Sequence, residues 1–302
     1  MSFDKNGCVV ALGFFDGVHM GHRALFEKTV ERARELGVEP AVVSFDVHPD
    51  NMVKGGNVPL INTPVERTEL LRRLFGIERQ IVLHFDERLM KMPWDEFIVW
   101  LSDRFGAKHL VCGYDFRFGH RGQGNSERLR EKCAELSIGS DVIPQVTMDG
   151  VVISSTYIRG LLQEGRMAEA NRFLGHCHTM TDHVRCGYRL GTKLGLPTIN
   201  MRVGENVLVP AHGVYAAKAH VEGGGEYIAV TNVGVRPTVG GVSDVSVESH
   251  LLDFSGNLYG RSVRLDFYEF IRPERKFNGT EELKAEILAN IKTVREYFEK
   301  NS

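Results

Sequence analysis

The sequence predicts an α/β protein in which a parallel, doubly wound sheet is followed by a small antiparallel β-barrel with a C-terminal helix. Up to about residue 175, short apolar runs alternate with amphipathic segments of helical length, which is typical of right-handed βαβ crossovers. After about residue 180 the long helical periods disappear, and short strand-like runs separated by glycine-rich turns replace them. We therefore expect two domains, residues 1–178 and 179–302.

Local signals place the elements of the first domain. Thr63, Pro64 and Glu66 form a helix start in which Thr63 caps the helix and Glu66 completes a capping box. Glycines at the ends of helical runs predict C-terminal caps, and the last helix is expected to close near Gly139. Apolar runs predict strands at 8–12, 41–45, 81–83 and 109–112, and helical spacing predicts helices at 22–36, 64–75, 94–105 and 126–136.

The second domain shows strand patterns with one closing helix. Residues 281–297 have amphipathic helical spacing, so we expect this helix to pack on the barrel. Strands are predicted at 213–219, 227–230, 245–251 and 262–267.

Composition excludes several classes of protein. The net charge of −2 over 302 residues gives no basic field for nucleic acid. No apolar run is long enough to span a bilayer, and the N-terminus lacks a signal-peptide core. The five cysteines are scattered, without a Cys-x-x-Cys pair, which is typical of a reduced cytoplasmic protein. Nucleic-acid and membrane partners are therefore not expected, and oligomeric state has no sequence signal.

A glycine-rich turn with two histidines follows the first predicted strand. His19 and His22 are three residues apart and share one face of a helical turn, whose N-terminus adds partial positive charge. Gly21 leaves no side chain to block a ligand. The pattern predicts a polyphosphate site, although such turns also occur in α/β proteins without a nucleotide, where the histidines are structural.

Two further segments of the first domain carry polar chemistry. Ser154, Ser155 and Thr156 open a predicted helix with Arg159 in its first turn, which suits a second phosphate cradle or, alternatively, a simple serine cap beside a solvated arginine. The basic, aromatic loop 113–124 suits a flat ring or a plain surface loop. Because ligands of doubly wound sheets lie at the carboxyl ends of the strands, we expect convergence of the residues that follow predicted strands, namely His19, His48, Asp115 and Ser154.

The second domain offers oxygen ligands and one carboxylate. Thr198 and Asn200 are two apart on an extended segment, so they point the same way and suit Mg²⁺ held with nucleotide phosphates. Glu248 lies mid-strand and is either a general base or a surface residue. His176, Cys177, His178, Asp182 and His183 form a weak candidate for zinc, because their spacing is not a usual structural pattern.

Together these motifs resemble the bifunctional prokaryotic riboflavin kinase/FAD synthetase family over about residues 8–298. Segments 13–22, 45–49, 113–119 and 154–159 are similar to landmarks of its adenylyltransferase domain, which is Rossmann-like. Segments 197–200, 232–238, 248–254 and 258–260 are similar to its kinase domain. The ordered set is specific, whereas the His-x-Gly-His run alone is shared by many nucleotidylyltransferases.

The resemblance implies two ATP-dependent reactions: phosphorylation of riboflavin to FMN, and adenylylation of FMN to FAD with release of pyrophosphate. It implies Mg²⁺ with ATP and no tightly bound organic cofactor, since the flavins are substrates and products. His19, His22, Arg159 and Glu248 would be catalytic. ATP for adenylyl transfer would be bound by Gly13, Phe15, Asp16, Gly17, His19, Gly21, His22, Ser155, Thr156 and Arg159, and FMN by His48, Asp115, Phe116 and Arg117. ATP for the kinase would be bound by Gly191, Lys193, Thr198 and Asn200, the last two also holding the metal.

Departures from the family pattern cluster at the start of the kinase domain. Asp182 stands where a glycine is usual, Thr192 where a basic residue is usual, and 176–178 where an Arg-Pro-aromatic run is usual. Lys193 offers a replacement for the missing charge. Two alternatives to the bifunctional enzyme therefore stay open: a monofunctional FMN adenylyltransferase with a degenerate kinase domain, and a non-catalytic flavin- or nucleotide-binding regulator.

Overall fold

The computed structural model describes residues 7–49, 51, 55–187, 191, 194–236 and 244–301. The chain divides into two compact units, the first formed by residues 1–59 and 67–154 and the second by residues 60–66 and 155–302. Within the described ranges, no helix has both the length and the apolar character needed to cross a membrane.

The first unit is built on a five-stranded parallel sheet with the order β3-β2-β1-β4-β5. Its central strand β1 is fully buried, as its unbroken apolar run predicts. The doubly wound parallel sheet is thereby confirmed. The strands are β1 (Cys8–Leu12), β2 (Glu39–Phe45), β3 (Arg79–Leu83), β4 (Ala107–Gly113) and β5 (Gly139–Ile143). The helices up to residue 135 are α1 (Met20–Leu36), α2 (Pro64–Phe75), α3 (Glu87–Lys91), α4 (Trp94–Phe105) and α5 (Ser126–Glu135).

The predicted helix ends are confirmed at several places. The capping box before α2 is formed, because the Thr63 N–H donates to the Glu66 carboxylate at 2.8 Å and the Glu66 N–H donates to the Thr63 hydroxyl at 3.2 Å. Gly37 and Gly106 end α1 and α4 in the left-handed conformation. Local sequence therefore sets where these helices start and stop.

Two expectations about local structure were wrong. Gly139 does not close α5; Ser137 takes the left-handed conformation there, and Gly139 begins β5. A side chain at Gly139 would overlap the His109 ring, so this glycine serves strand packing. The run before Ser154 is not a strand of the parallel sheet, because among the described strands β7 (Val151–Val152) pairs only with β6 (Thr147–Met148) in a short hairpin.

The second unit is a six-stranded antiparallel sheet with the order β8-β13-β10-β11-β12-β9, which confirms the predicted barrel-like domain. A bridge between Arg185 and Asn200 links the two ends of this order and nearly closes the sheet into a barrel. The strands are β8 (His178–His183), β9 (Ile199–Arg202), β10 (Gly213–Val221), β11 (Glu226–Arg236), β12 (Asp244–Leu251) and β13 (Ser262–Pro273). The helices are α6 (Ser155–Gln163), α7 (Met167–Leu174) and α8 (Thr280–Lys300).

Helix α8 covers one face of this sheet, as its amphipathic spacing predicts. Val294 and Phe298 of the helix share an apolar cluster with Val214, Ala216 and Val230 of the sheet. On β12 the residues of the opposite face, such as Val247, point into the barrel interior. The sheet therefore has an inner apolar face and an outer face that α8 partly covers.

A charged cluster ties α1 to the strands of the first unit. Arg32 Nε donates to Asp141 Oδ2 at 2.7 Å, and His109 Nε2 lies 2.9 Å from the same oxygen. The hydrogen bond from Arg32 lowers the pKa of Asp141 below its usual value. The ionised carboxylate therefore stabilises the folded state above pH ~3.9, its unfolded pKa, and this contribution disappears as the pH falls through the lower folded pKa.

We expect Asp141→Asn to lower the free energy of unfolding of the first unit by about 1 kcal/mol at pH 7, because a charge-assisted and partly solvated hydrogen bond is lost. The difference from the parent protein should shrink below pH ~4. Urea unfolding followed by tryptophan fluorescence measures this unit, since both tryptophans, Trp94 and Trp100, lie on α4. Glu35→Gln is the matched control, because Glu35 bonds the same Arg32 but is half exposed. An equal loss in both variants would contradict the prediction.

Candidate functional site

A strained turn links β1 to α1. Phe15 and Val18 have positive φ angles of 60° and 46°, and Gly17 between them has a φ of 81°. Left-handed backbone is rare for bulky and β-branched residues, and it persists where surrounding packing enforces it. Phe15 and Val18 are both buried, as is Asp16, and the Gly13 N–H donates to the Val43 carbonyl where β1 ends. Packing of these buried residues therefore enforces the strained backbone of the turn.

The turn delivers two stacked imidazoles to the start of α1. His19 is the N-cap of the helix, and its ring lies 3.5 Å from the His22 ring at an angle of 14°. The His22 N–H donates to His19 Nδ1 at 3.3 Å, so the neutral His19 ring carries its proton on Nε2. His19 is therefore able to donate a hydrogen bond beside the positive end of the helix.

A buried arginine lies behind these rings. Arg67 donates to the main-chain carbonyls of Phe14 and Phe45, at 2.7 and 3.1 Å, and so joins the segments that follow β1 and β2. Burial, followed by the charge effects of His19 and Arg67, lowers the pKa of His22 well below its usual range. His22 is therefore neutral at pH 7, and its Nδ1 is buried without a hydrogen-bond partner.

Gly21 lies in a closely packed position. A Cβ at this position would lie 3.1 Å from the His19 ring and 3.5 Å from the Ile153 carbonyl. The segment that leads to Ser154 therefore passes beside the start of α1. His48, which was also expected at this edge of the sheet, packs its ring edge-on against Phe14 with the ring centroids 4.7 Å apart.

The second phosphate motif forms the start of α6, within the second unit. Ser155 and Thr156 are the first two residues of this helix, where main-chain N–H groups lack helical acceptors. Arg159 is the fifth helix residue, so the expectation that it lies in the first turn was wrong by one position. Because Ser155 and Arg159 are four apart, their side chains share one face.

An aromatic cavity of about 470 Å³ lies within the first unit. Phe116 and Arg117, which the sequence singles out, both line it, whereas Asp115 is exposed and is not part of the lining. Sequence reasoning missed the walls contributed by residues 85–97, although Phe85 lies two residues after β3 and its position near a strand end was an available signal. Further lining residues are Phe45, Pro49, Phe85, Leu89, Phe97, Phe118, His120 and Arg121.

In the second unit, strand register brings three polar residues into one row. Asn200 of β9 lies opposite Glu248 of β12, and Glu248 lies opposite Asn232 of β11. Directly paired side chains share a face, with Cβ atoms about 4.5–5.5 Å apart. Glu248 and Asn232 line a cavity of about 200 Å³ on the outer face that α8 covers. Glu248 therefore faces this cavity and not the barrel interior, which Val247 occupies.

The segment before β9 closes one side of this cavity. Gly191, Leu194 and Thr198 contribute to its lining, and the Gly191 carbonyl accepts the N–H groups of Leu194 and Leu196 at 3.0 and 2.8 Å. His250 Nδ1 donates to the Pro197 carbonyl at 2.8 Å, which holds the segment against β12. Thr192 and Lys193 lie outside the described residues.

The cavity also has walls that sequence reasoning did not assign to the site. Asn232 and His250 belong to recognised kinase segments, but only their register with Glu248 and Asn200 shows where they lie. Arg272 and Asn290 line the cavity from β13 and α8, and Arg272 Nε donates to Asn290 Oδ1 at 3.1 Å. No local pattern predicts that pair, since the partners come from distant parts of the chain.

The candidate zinc cluster does not assemble. Among the residues that the structure describes, no group of three or more His, Cys, Asp or Glu is placed to hold a metal ion. His178 is fully buried against Phe267, and burial lowers its pKa to about 3. Asp182 instead accepts a hydrogen bond from the Arg202 N–H at 2.9 Å.

Comparison with known families matches both halves of the chain. Residues 2–157 match the family described as FAD synthetase, and residues 174–298 match the family described as riboflavin kinase.

Individual relatives agree over nearly the whole chain. The bifunctional riboflavin kinase/FMN adenylyltransferase of Listeria monocytogenes is 33% identical and that of Escherichia coli strain K12 is 35% identical. Each alignment covers 97% of this chain, with 93% and 94% of the two relatives. A crystal structure described as a macrolide-efflux protein from Streptococcus pneumoniae has a TM-score of 0.87 and 27% identity, covering 97% of this chain and 95% of the other.

Proposed function

This chain belongs to the bifunctional riboflavin kinase/FMN adenylyltransferase family, and on that premise we propose that residues 179–302 phosphorylate riboflavin and residues 1–178 adenylylate the resulting FMN. The first reaction converts ATP and riboflavin to ADP and FMN. The second converts ATP and FMN to FAD and pyrophosphate. The kinase half rests mainly on the row of Asn200, Glu248 and Asn232 beside a cavity. The carboxylate of this row can accept a proton from a hydroxyl substrate, and the carboxamide of Asn200 can orient the phosphates of ATP.

In the kinase half, Glu248 is the general base. A ribityl hydroxyl of riboflavin is a poor nucleophile until its proton is removed, and a carboxylate at the cavity surface is placed to accept that proton. The hydroxyl oxygen then bonds to the γ-phosphorus of ATP while the bond to the β-phosphate oxygen breaks, and ADP leaves. Asn200 and Thr198 orient the phosphates, and most of the rate enhancement comes from positioning and charge stabilisation.

Mg²⁺ fits the donor set of this site. Thr198 and Asn200 supply a hydroxyl and a carboxamide oxygen, which are the hard ligands that this ion prefers, and the Asn200–Glu248 register keeps them next to the base. When bound with ATP, the ion neutralises charge on the transferring phosphoryl group.

In the adenylyltransferase half, no general base is needed. The second pKa of a phosphate monoester is about 6, so the phosphate of FMN is ionised at pH 7 and attacks the α-phosphorus of ATP directly. The new bond joins the two phosphates, the bond to the β-phosphate breaks, and pyrophosphate leaves. His19 and His22 stabilise charge at the α-phosphate as hydrogen-bond donors.

The remaining polar residues of this half bind the ends of the substrates. Ser155, Thr156 and Arg159 hold the β- and γ-phosphates, supported by their position at the start of α6. Phe116 and Arg117 contact FMN in the aromatic cavity, whose ring-lined walls suit the flat isoalloxazine. His48, whose ring contacts that of Phe14, also contributes to FMN binding.

The proposal is tested by feeding the purified protein riboflavin in one reaction and FMN in another, each with ATP and Mg²⁺, and separating the flavins by chromatography. We expect FAD from both reactions, with FMN as an intermediate in the first. If FAD forms only in the reaction fed with FMN, the proposed kinase activity is wrong. If FMN forms from riboflavin but neither reaction yields FAD, the proposed adenylyltransferase activity is wrong. If neither reaction yields a product, both proposals are wrong.

We expect Glu248→Gln to slow FMN formation by about 10²- to 10⁴-fold, because the amide cannot accept the hydroxyl proton. FAD formation from supplied FMN should be unchanged. Glu222→Gln is the control, since Glu222 is an exposed carboxylate of the same barrel. Equal loss of both activities in Glu248→Gln would show that this residue supports the fold rather than the chemistry.

For His22→Ala we expect the converse, with FAD formation reduced by about 10²- to 10³-fold through loss of a charge-stabilising donor and FMN formation retained. His212→Ala, at an exposed position, serves as the control. Unchanged FAD synthesis in His22→Ala would exclude His22 from the reaction.

A further inference from the structure

The two end strands of the barrel, β8 and β9, meet at a seam with little regular pairing. The Arg185 N–H donates to the Asn200 carbonyl at 2.9 Å, and this isolated bridge lies two residues beyond the end of β8. Continued by two residues in the antiparallel direction, its register places His183 opposite Arg202. A regular ladder would give the Arg202 N–H a main-chain carbonyl as its acceptor.

A side chain takes that role in this protein. The Arg202 N–H donates to Asp182 Oδ2 at 2.9 Å, and Arg185 Nε lies 3.3 Å from the same oxygen. Partial burial alone would raise the pKa of Asp182, but the bonds from Arg202 and Arg185 outweigh it and lower that pKa. Asp182 is therefore ionised at neutral pH, and its bond to the main chain is charge-assisted.

The strand that this bond holds lies between the cavity residue Thr198, which directly precedes it, and the cavity residue Glu248, which pairs with it. β9 has only four residues, and its other edge pairs with β12, where Asn200 lies opposite Glu248. The Asn200 side chain packs against Gly187, where a Cβ would come within 2.5 Å of the carboxamide. Asp182 and Arg185 thus bond to the edge of β9 that faces away from β12. Thr198, which lines the cavity, directly precedes this strand.

We propose that Asp182 is a positioning residue of the kinase site: it closes the β8–β9 seam and so holds Asn200 and Thr198 in place for the nucleotide. This inference rests on the proposed kinase function. It also accounts for a carboxylate at a position where the family resemblance implies glycine, because glycine has no side-chain acceptor for the Arg202 N–H.

The test compares Asp182→Ala with Asp182→Asn in steady-state assays of FMN formation. Loss of the charged acceptor should raise the KM for ATP by about tenfold in Asp182→Ala, with kcat and the KM for riboflavin changed less than about threefold. Asp182→Asn retains a carbonyl acceptor and should recover the KM for ATP to within about threefold of the parent protein. Glu226→Gln is the matched control, because Glu226 bonds Lys218 at 2.7 Å on other strands of the same barrel.

Hydrogen exchange of the peptide containing Arg202 provides a readout that does not need activity. We expect faster exchange in Asp182→Ala and near-parental exchange in Asp182→Asn. Faster exchange with an unchanged KM for ATP would overturn the positioning role, as would equal effects on both substrates or no recovery in Asp182→Asn. A parent protein that makes no FMN would instead overturn the kinase function, and unchanged exchange in Asp182→Ala would overturn the seam contact itself.

Discussion

The left-handed turn from Phe15 to Val18 is the constraint on which the first site depends. Residues held in such backbone regions cost on the order of 1–3 kcal/mol each. Fully burying a side chain of the size of valine or phenylalanine contributes about 1.5–3 kcal/mol, and both Phe15 and Val18 are at least 98% buried. The two quantities are comparable, so core packing offsets the strain. The turn can therefore cap α1 with His19 and stack His22 beside it.

The second site depends on register instead of backbone strain. Side chains alternate between the two faces of a strand, so a shift of one residue in β12 would turn Glu248 into the barrel interior and bring Val247 to the cavity. The fully buried Val247 and Ser249 make that shift unfavourable, since one side chain would be exposed and a carboxylate would be buried. The apolar interior therefore also fixes which polar groups face the cavity on the other side of the sheet.

These two constraints explain which features of the structure the sequence predicts and which it does not. Most helix ends, the positions of the parallel strands and the proximity of His19 to His22 follow from residues close together in the chain, and these were predicted. The exception at Gly139 came from a distant contact with His109, which no local signal shows. The row of Asn200, Glu248 and Asn232 likewise depends on pairing between three separated strands. Family resemblance selected these residues, but only the register shows that they are neighbours.

The sequence also did not predict the lowered pKa of His22, because that shift depends on burial and on the charge of Arg67, which comes from a separate segment. Burial is the main cause of the lowered pKa of His22, and repulsion from the stacked His19 ring and from Arg67 adds to it. Neutral rings still donate hydrogen bonds, while the helix N-terminus provides positive potential without titrating. In the proposed reaction the anionic FMN phosphate needs such donors and no base. Riboflavin offers only a hydroxyl, which is why the carboxylate belongs in the kinase site and is dispensable in the other.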